Sequence, residues 1–116
     1  MSNNLPIGIL DSGVGGLTVF KQTEKLLPNE NIIYIGDTKR MPYGNKSKED
    51  IIKYANAMIA FLEKHHVKAV LLACNTISSH IKSLNSNVPL FSIVKAGSEY
   101  ALKKCEEEND NLIGLI

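Results

Sequence analysis

The chain has 116 residues, which suits about one domain with a single core. It is 44% apolar and 22% charged with a net charge of +1, a balance that argues against disordered, collagen-like and disulfide-scaffold classes and against nucleic-acid binding. Its first residues lack the features of a signal peptide, and no apolar run approaches the roughly 20 residues of a membrane span. We therefore expect a cytoplasmic protein without nucleic-acid or membrane partners.

Short apolar runs predict the strands of a buried parallel sheet, because strands covered on both faces are apolar throughout. There are five such runs, at residues 6–10, 31–35, 67–73, 89–94 and 111–116.

Helical patterns separate these runs. A first helix is predicted from about Leu17 to Leu27, ending before Pro28. The second follows Ser47, with Asp50 in a capping-box-like position, and runs as far as His65. Its predicted apolar face consists of Ile51, Ala55, Met58, Ile59 and Leu62.

Two further helices are predicted in the second half of the chain. The third carries Ile77, Ile81 and Leu84 on one face. The fourth begins at about Ser98 and turns three residues inward, namely Ala101, Leu102 and Cys105.

The alternation of strand and helix predicts the fold class. It is an α/β lobe with a parallel sheet of about four to five strands and helices on both faces, a three-layer arrangement of the flavodoxin-like or Rossmann-like kind. The last apolar run reaches Ile116 with no helix after it. We therefore expect residues 1–116 to be a fragment of a longer protein.

Three loops follow the first three strands, at residues 11–16, 36–44 and 74–76. In a parallel sheet the carboxyl ends of the strands share one edge, and ligands bind there. The loops are therefore predicted to form a single site.

The first loop, DSGVGG, is rich in glycine without matching a known phosphate-binding motif. A Rossmann fingerprint needs glycine at Thr18, and a Walker loop needs lysine at Val14. Asp11 opens the loop and would repel a phosphate, whereas it suits an ammonium group or the handling of a proton. Equally, its carboxylate could simply cap the turn.

Cys74 stands between the third strand and its following helix. A thiol in that position can have its pKa lowered from about 8.5, giving a nucleophile or base near neutrality, although a small buried cysteine is the alternative. Asn75 and Thr76 supply donors fit for a carboxylate. A cysteine phosphatase is disfavoured, since the sixth residue after Cys74 is His80 and not arginine.

The other polar residues of interest have plainer interpretations. Cys105 is predicted to pack in the core, and both cysteines are expected to be free thiols. His65 and His66 are expected at the carboxyl end of their helix, and no cysteine or histidine has metal-ligand spacing. In the middle loop Tyr43 could line a pocket, while the roles of Asp37, Lys39 and Arg40 stay open.

Three stretches together, GILDSGVGGLTV, YIGDTKRMPYGNKS and VLLACNTISS, resemble the amino-terminal half of glutamate racemase. The resemblance implies an isomerase that interconverts L- and D-glutamate for bacterial peptidoglycan without pyridoxal phosphate or metal. It implies that Cys74 is one of two catalytic thiols, assisted by Asp11. It also implies substrate binding by residues of all three loops, namely Asp11, Ser12, Tyr43, Gly44, Asn75 and Thr76.

The same resemblance implies a second lobe that carries the partner cysteine. Where the family commonly has an Ile-Glu-Pro-Gly-like segment after the fourth strand, this chain has Lys95 and Ala96, which puts the local loop geometry in doubt. Two alternatives stay open: an amino-acid-binding lobe without catalysis, and a related aspartate racemase. A homodimer of the complete enzyme is one arrangement that the sequence also leaves open.

Overall fold

A computed structural model of the protein describes residues 4–109, so the strand predicted at 111–116 lies outside the described residues. The strands are β1 (Ile7–Asp11), β2 (Ile32–Gly36), β3 (Ala69–Leu72) and β4 (Leu90–Ser92). The α-helices are α1 (Leu17–Leu26), α2 (Lys48–Lys64), α3 (Asn75–Ser78) and α4 (Ile93–Glu108). Short 3₁₀ helices lie at Tyr43–Asn45 and Ile81–Ser83.

The four strands form one sheet in the order β2-β1-β3-β4, and every neighbouring pair is parallel. This order corresponds to the first four strands of the flavodoxin-like arrangement. The predicted α/β class with an all-parallel sheet is therefore confirmed.

Helices flank the sheet on both faces, as predicted. A Cβ added at Gly8 would lie 3.0 Å from a methyl carbon of Leu62, so Gly8 faces α2. Side chains alternate along a strand, so Ile7 points to the opposite face. There it lines a groove with Thr23 and Leu26 of α1.

The helix α2 supplies most of the helical part of the core. The Ser47 hydroxyl caps it by accepting a hydrogen bond from the Asp50 backbone N–H at 3.1 Å. All five residues of its predicted apolar face are buried, namely Ile51, Ala55, Met58, Ile59 and Leu62. They pack on the face of the sheet that carries Leu10, Val70 and Leu72.

The prediction of one third helix was wrong, because the segment splits into α3 and the 3₁₀ helix Ile81–Ser83. Two serine hydroxyls compete for backbone groups here. That of Ser78 donates to the Leu72 carbonyl at 3.3 Å, and that of Ser79 to the Thr76 carbonyl at 2.7 Å. Ile77 is nevertheless buried, as its spacing predicted.

The fourth helix differs from the prediction at its start and in its packing. It begins at Ile93, five residues before Ser98, because the Ser92 hydroxyl caps the backbone N–H groups of the first turn. Leu102 is 60% exposed, so its predicted inward position was wrong. Ala101 and Cys105 are half-buried and lie outside the core, which corrects the core-packing role predicted for Cys105. Over residues 4–109, no helix is long and apolar enough to cross a membrane.

We predict that core and surface leucines differ sharply in their effect on stability. In the 116-residue chain, Leu62→Ala should lower the free energy of unfolding by about 2–5 kcal/mol, because it opens a cavity under α2. Leu102→Ala on α4 is the matched control and should change it by less than about 0.5 kcal/mol. Urea unfolding measures both, and equal losses would contradict the packing described.

Candidate active site

The three predicted loops meet at one edge of the sheet around a cavity of about 560 Å³. This volume lies within the range of small-molecule sites. Its lining includes every site residue predicted from the sequence, namely Asp11, Ser12, Tyr43, Gly44, Cys74, Asn75 and Thr76. The strand register explains the meeting, since Asp11 pairs with Gly36, and Leu10 with Leu72.

Asp11 ends β1 with its carboxylate held by the first loop and by β2. Oδ1 accepts the Ser12 N–H at 2.8 Å, and Oδ2 accepts the Gly16 N–H at 2.7 Å. The Tyr34 hydroxyl also donates to Oδ2, at 3.3 Å. Asp11 thus caps its turn and also lines the cavity. The sequence left open whether it caps the turn or meets a ligand, and the structure allows both roles.

Glycines in this region permit close approach between chain segments. A Cβ at Gly16 would lie 2.9 Å from the Asp11 Cβ and 3.0 Å from the Ala73 Cβ. A Cβ at Gly36 would lie 2.3 Å from the Gly13 carbonyl oxygen. Because the Gly16 N–H is already bonded to Asp11, it is not free to bind a phosphate.

Cys74 lies two residues after the carboxyl end of β3 and directly before α3. Its thiol donates a hydrogen bond to the Ser12 hydroxyl oxygen at 3.2 Å, which joins the first and third loops. The side chain is 7% exposed and lines the cavity. It is a free thiol placed where a small ligand can reach it.

Asn75 and Thr76 begin α3 beside the thiol. Asn75 is exposed and Thr76 half-buried, and both line the cavity. Their side chains carry hydrogen-bond donors, so they suit an anionic group of a ligand that touches Cys74.

Tyr43 is the buried residue of the middle loop. It follows the cis peptide bond between Met41 and Pro42 and is 1% exposed. Its hydroxyl donates a hydrogen bond to the Asp37 carboxylate. Burial, and then that hydrogen bond, raise the pKa of Tyr43 far above its usual range, so its phenol stays protonated. Gly44 is exposed and presents its backbone to the cavity.

Arg40 and Asp37 secure the middle loop from outside the cavity. The Arg40 guanidinium donates to the Asp37 carboxylate at 3.1 Å and lies 4.4 Å from the centre of the Tyr54 ring. Burial by itself would raise the pKa of Asp37, but hydrogen bonds from Tyr43 and Arg40 lower it below its ordinary value. Asp37 therefore fixes Tyr43, a role the sequence left undecided.

Sequence reasoning missed Tyr34, which it treated as part of an apolar strand. The residue has intermediate exposure and its hydroxyl reaches the first loop. A phenol at the carboxyl end of a strand, next to a loop that begins with aspartate, was the available signal.

The remaining predicted residues lie away from the cavity. His65 ends α2, and its ring Nδ1 lies 2.9 Å from the Phe61 carbonyl, as expected at a helix end. Lys95 and Ala96 are exposed in the first turns of α4 and do not line the cavity. Within residues 4–109, no three acidic, histidine or cysteine side chains cluster as a metal site would require.

Curated relatives of the chain are glutamate racemases. Glutamate racemase 1 of Caldanaerobacter subterraneus subsp. tengcongensis is 47% identical over 116 residues, which is 100% of this chain and 42% of the relative. The glutamate racemase of a Thermoanaerobacter species is 52% identical over 96 residues, 83% of this chain and 36% of the relative. The chain thus spans about two-fifths of the length of these relatives. No protein-family model matches it.

Solved structures similar to this chain in fold are also glutamate racemases. Glutamate racemase from Francisella tularensis in complex with D-glutamate has a TM-score of 0.78 and 43% identity, covering 85% of this chain and 39% of that protein. Glutamate racemase from Aquifex pyrophilus has a TM-score of 0.80 and 43% identity, covering 86% of this chain and 41% of that protein.

We predict a pH-dependent loss of stability on Asp37→Asn. The lowered pKa of Asp37 means that its ionised pairing stabilises the fold above the ordinary value of 3.8 and that this contribution disappears as the pH falls. Near pH 7 the substitution should reduce the free energy of unfolding by roughly 1 kcal/mol or more. Near pH 2 it should have little effect.

Glu24→Gln, at an exposed position of α1, is the control for removing a carboxylate and should change the free energy of unfolding near pH 7 by less than about 0.5 kcal/mol. Urea unfolding at the two pH values measures the difference. A loss from Asp37→Asn that is equal at both values would contradict the charged pairing.

Proposed function

This chain belongs to the glutamate racemase family, and we propose that it is the amino-terminal lobe of an enzyme that interconverts L-glutamate and D-glutamate. The observation that carries the proposal is the Cys74 thiol at the cavity wall, 3.2 Å from Ser12 and flanked by polar residues from three loops. The Francisella relative was solved in complex with D-glutamate. By this proposal the complete protein serves peptidoglycan synthesis and uses neither pyridoxal phosphate nor a metal.

The cavity lining suits the charges of an amino acid. Asp11 is negative and buried at the cavity edge, which favours an ammonium group. Donors from Ser12, Asn75 and Thr76 suit the carboxylates. The backbone around Gly44, fixed by the buried Tyr43, supplies a further polar surface. We assign substrate binding to these residues.

Cys74 is proposed as the base that acts on D-glutamate. Its thiolate takes the proton from the α-carbon, and the electron pair left on that carbon is delocalised into the adjacent carboxylate. A second acid then returns a proton to the opposite face, giving L-glutamate. After the reaction Cys74 is protonated and the second group has lost its proton, so the reverse reaction restores both. Asp11 assists the transfer at Cys74.

We propose that the second acid comes from outside the described residues of this lobe. Among residues 4–109, Cys105 is the other cysteine, and it lies on α4 away from the cavity. Two exposed apolar side chains stand at the cavity mouth, Val14 at 56% and Met41 at 51% exposure. They suit the approach of a second lobe, which we propose supplies the partner cysteine.

We predict that Cys74→Ala abolishes the reaction in the complete protein, meaning the polypeptide encoded by the whole gene. In D2O with D-glutamate, both loss of the α-proton and racemisation should fall by at least about 1000-fold, because the base is removed. Proton NMR follows exchange, and polarimetry follows racemisation.

Cys105→Ala is the matched control and should leave both rates within about twofold of the wild type. If Cys74→Ala retained near-normal exchange and racemisation, the proposal would be wrong. Faster turnover of aspartate than of glutamate by the wild type would favour the aspartate racemase alternative.

We also predict that the 116-residue chain alone does not racemise glutamate, because it presents one thiol to one face of the substrate. Incubation of the purified chain with L-glutamate, followed by chiral chromatography, should give no D-glutamate above the buffer control. Turnover by this chain would contradict the two-lobe mechanism. Glutamate binding without turnover would fit either the isolated lobe or the binding-only alternative, which the complete protein distinguishes.

A further inference from the structure

Tyr34 reaches from β2 into the first loop of the site. Its hydroxyl lies 3.1 Å from the Gly13 carbonyl oxygen and 3.3 Å from Asp11 Oδ2. Its ring meets the Phe20 ring of α1 edge to face, with centroids 6.1 Å apart and an interplanar angle of 81°. The phenol is therefore held from the side, and its single proton is shared between the Gly13 carbonyl, which is the shorter contact, and the Asp11 carboxylate.

We propose that Tyr34 is a positioning residue for the Asp11 carboxylate during proton transfer at Cys74. The inference rests on the proposed racemase function and adds a participant that lies behind the cavity wall. Tyr34 does not line the cavity, so it acts through Asp11 and not on the substrate.

The bonding of Asp11 explains why this contact matters. The N–H groups of Ser12 and Gly16 hold the carboxylate, and both belong to the same loop as Asp11. Within the described part of the chain, Tyr34 supplies the bond that ties the carboxylate to a neighbouring strand. It therefore helps to orient Oδ2 relative to β2, and Cys74 follows β3 at the same edge of the sheet.

Tyr34 is suited to act as a permanent donor. Burial, followed by the charge of Asp11, raises the pKa of Tyr34 to about 12, so the phenol keeps its proton at neutral pH. A neutral phenol can stabilise a carboxylate but does not compete with the thiolate for the substrate proton.

Gly36 makes the approach of β2 to the loop possible. It lies two residues after Tyr34 on the same strand face, and a Cβ there would be 2.3 Å from the Gly13 oxygen that Tyr34 also contacts. Larger residues at this position would push the loop away from β2. The end of β2 at Gly36 and the Tyr34 hydroxyl thus both contact the first loop at the Gly13 carbonyl.

The test is Tyr34→Phe in the complete protein, which removes the hydroxyl and keeps the ring. The value of kcat/KM should fall about tenfold, the usual size for loss of a hydrogen bond to a charged group. It must fall equally in both directions, because the two enantiomers are equally stable. In an Asp11→Asn background the same substitution should cost less than about threefold.

Isotope effects separate positioning from simple loss of folded protein. If the step at Cys74 is slowed, the α-deuterium isotope effect on kcat/KM should rise for D-glutamate and fall for L-glutamate. Tyr100→Phe, which removes a phenol hydroxyl at an exposed site on α4, is the control and should leave both isotope effects unchanged.

The outcomes are distinct. An inactive wild-type protein would refute the proposed function itself. An active wild type in which Tyr34→Phe lowers activity equally with and without the Asp11 carboxylate, or leaves the isotope effects unmoved, would overturn the positioning role alone. Failure of Tyr34→Phe to fold would also overturn it, by marking the hydroxyl as structural.

Discussion

The parallel pairing of β1 on both of its edges is the constraint on which the site depends. Because β1 pairs in register with β2 and β3, Asp11 lies beside Gly36, and Leu10 beside Leu72. Three loops far apart in sequence therefore leave the sheet side by side. The core under α2 holds this register, since a slip of one residue would turn the buried face of β1 outward. The meeting of the three site loops at the sheet edge thus depends on packing in the interior.

The site has an inner layer that faces the cavity and an outer layer that holds it. Cys74, Ser12 and Asp11 line the cavity. Behind them Tyr34 contacts Asp11, and Asp37 binds the Tyr43 hydroxyl. Both contacts join a phenol to a carboxylate, and both start from the β2 end of the site. This strand contributes little to the cavity surface and much to the arrangement of its walls.

The sequence predicted the features that depend on neighbouring residues along the chain. The cap and apolar stripe of α2 and the three loops were readable, because spacing and strand order determine them. The start of α4 was not, because the Ser92 cap competed with an apolar run that also suits a strand. The outward position of Leu102 depends on how α4 meets its neighbours, which spacing does not reveal. The hydrogen bonds from Tyr34 to Asp11 and from Tyr43 to Asp37 could not be predicted from the sequence, because they depend on the three-dimensional arrangement of the strands and loops.

The central claim is that glutamate binds against the Cys74 thiol, and chemical modification tests it most directly. The complete protein would be treated with iodoacetamide, and the labelling rates of its cysteines followed by mass spectrometry. With D-glutamate at ten times its Kd, labelling of Cys74 should slow about tenfold. The rate at Cys105, half-buried on α4, should stay constant. An unchanged rate at Cys74, or equal slowing at both thiols, would contradict the account.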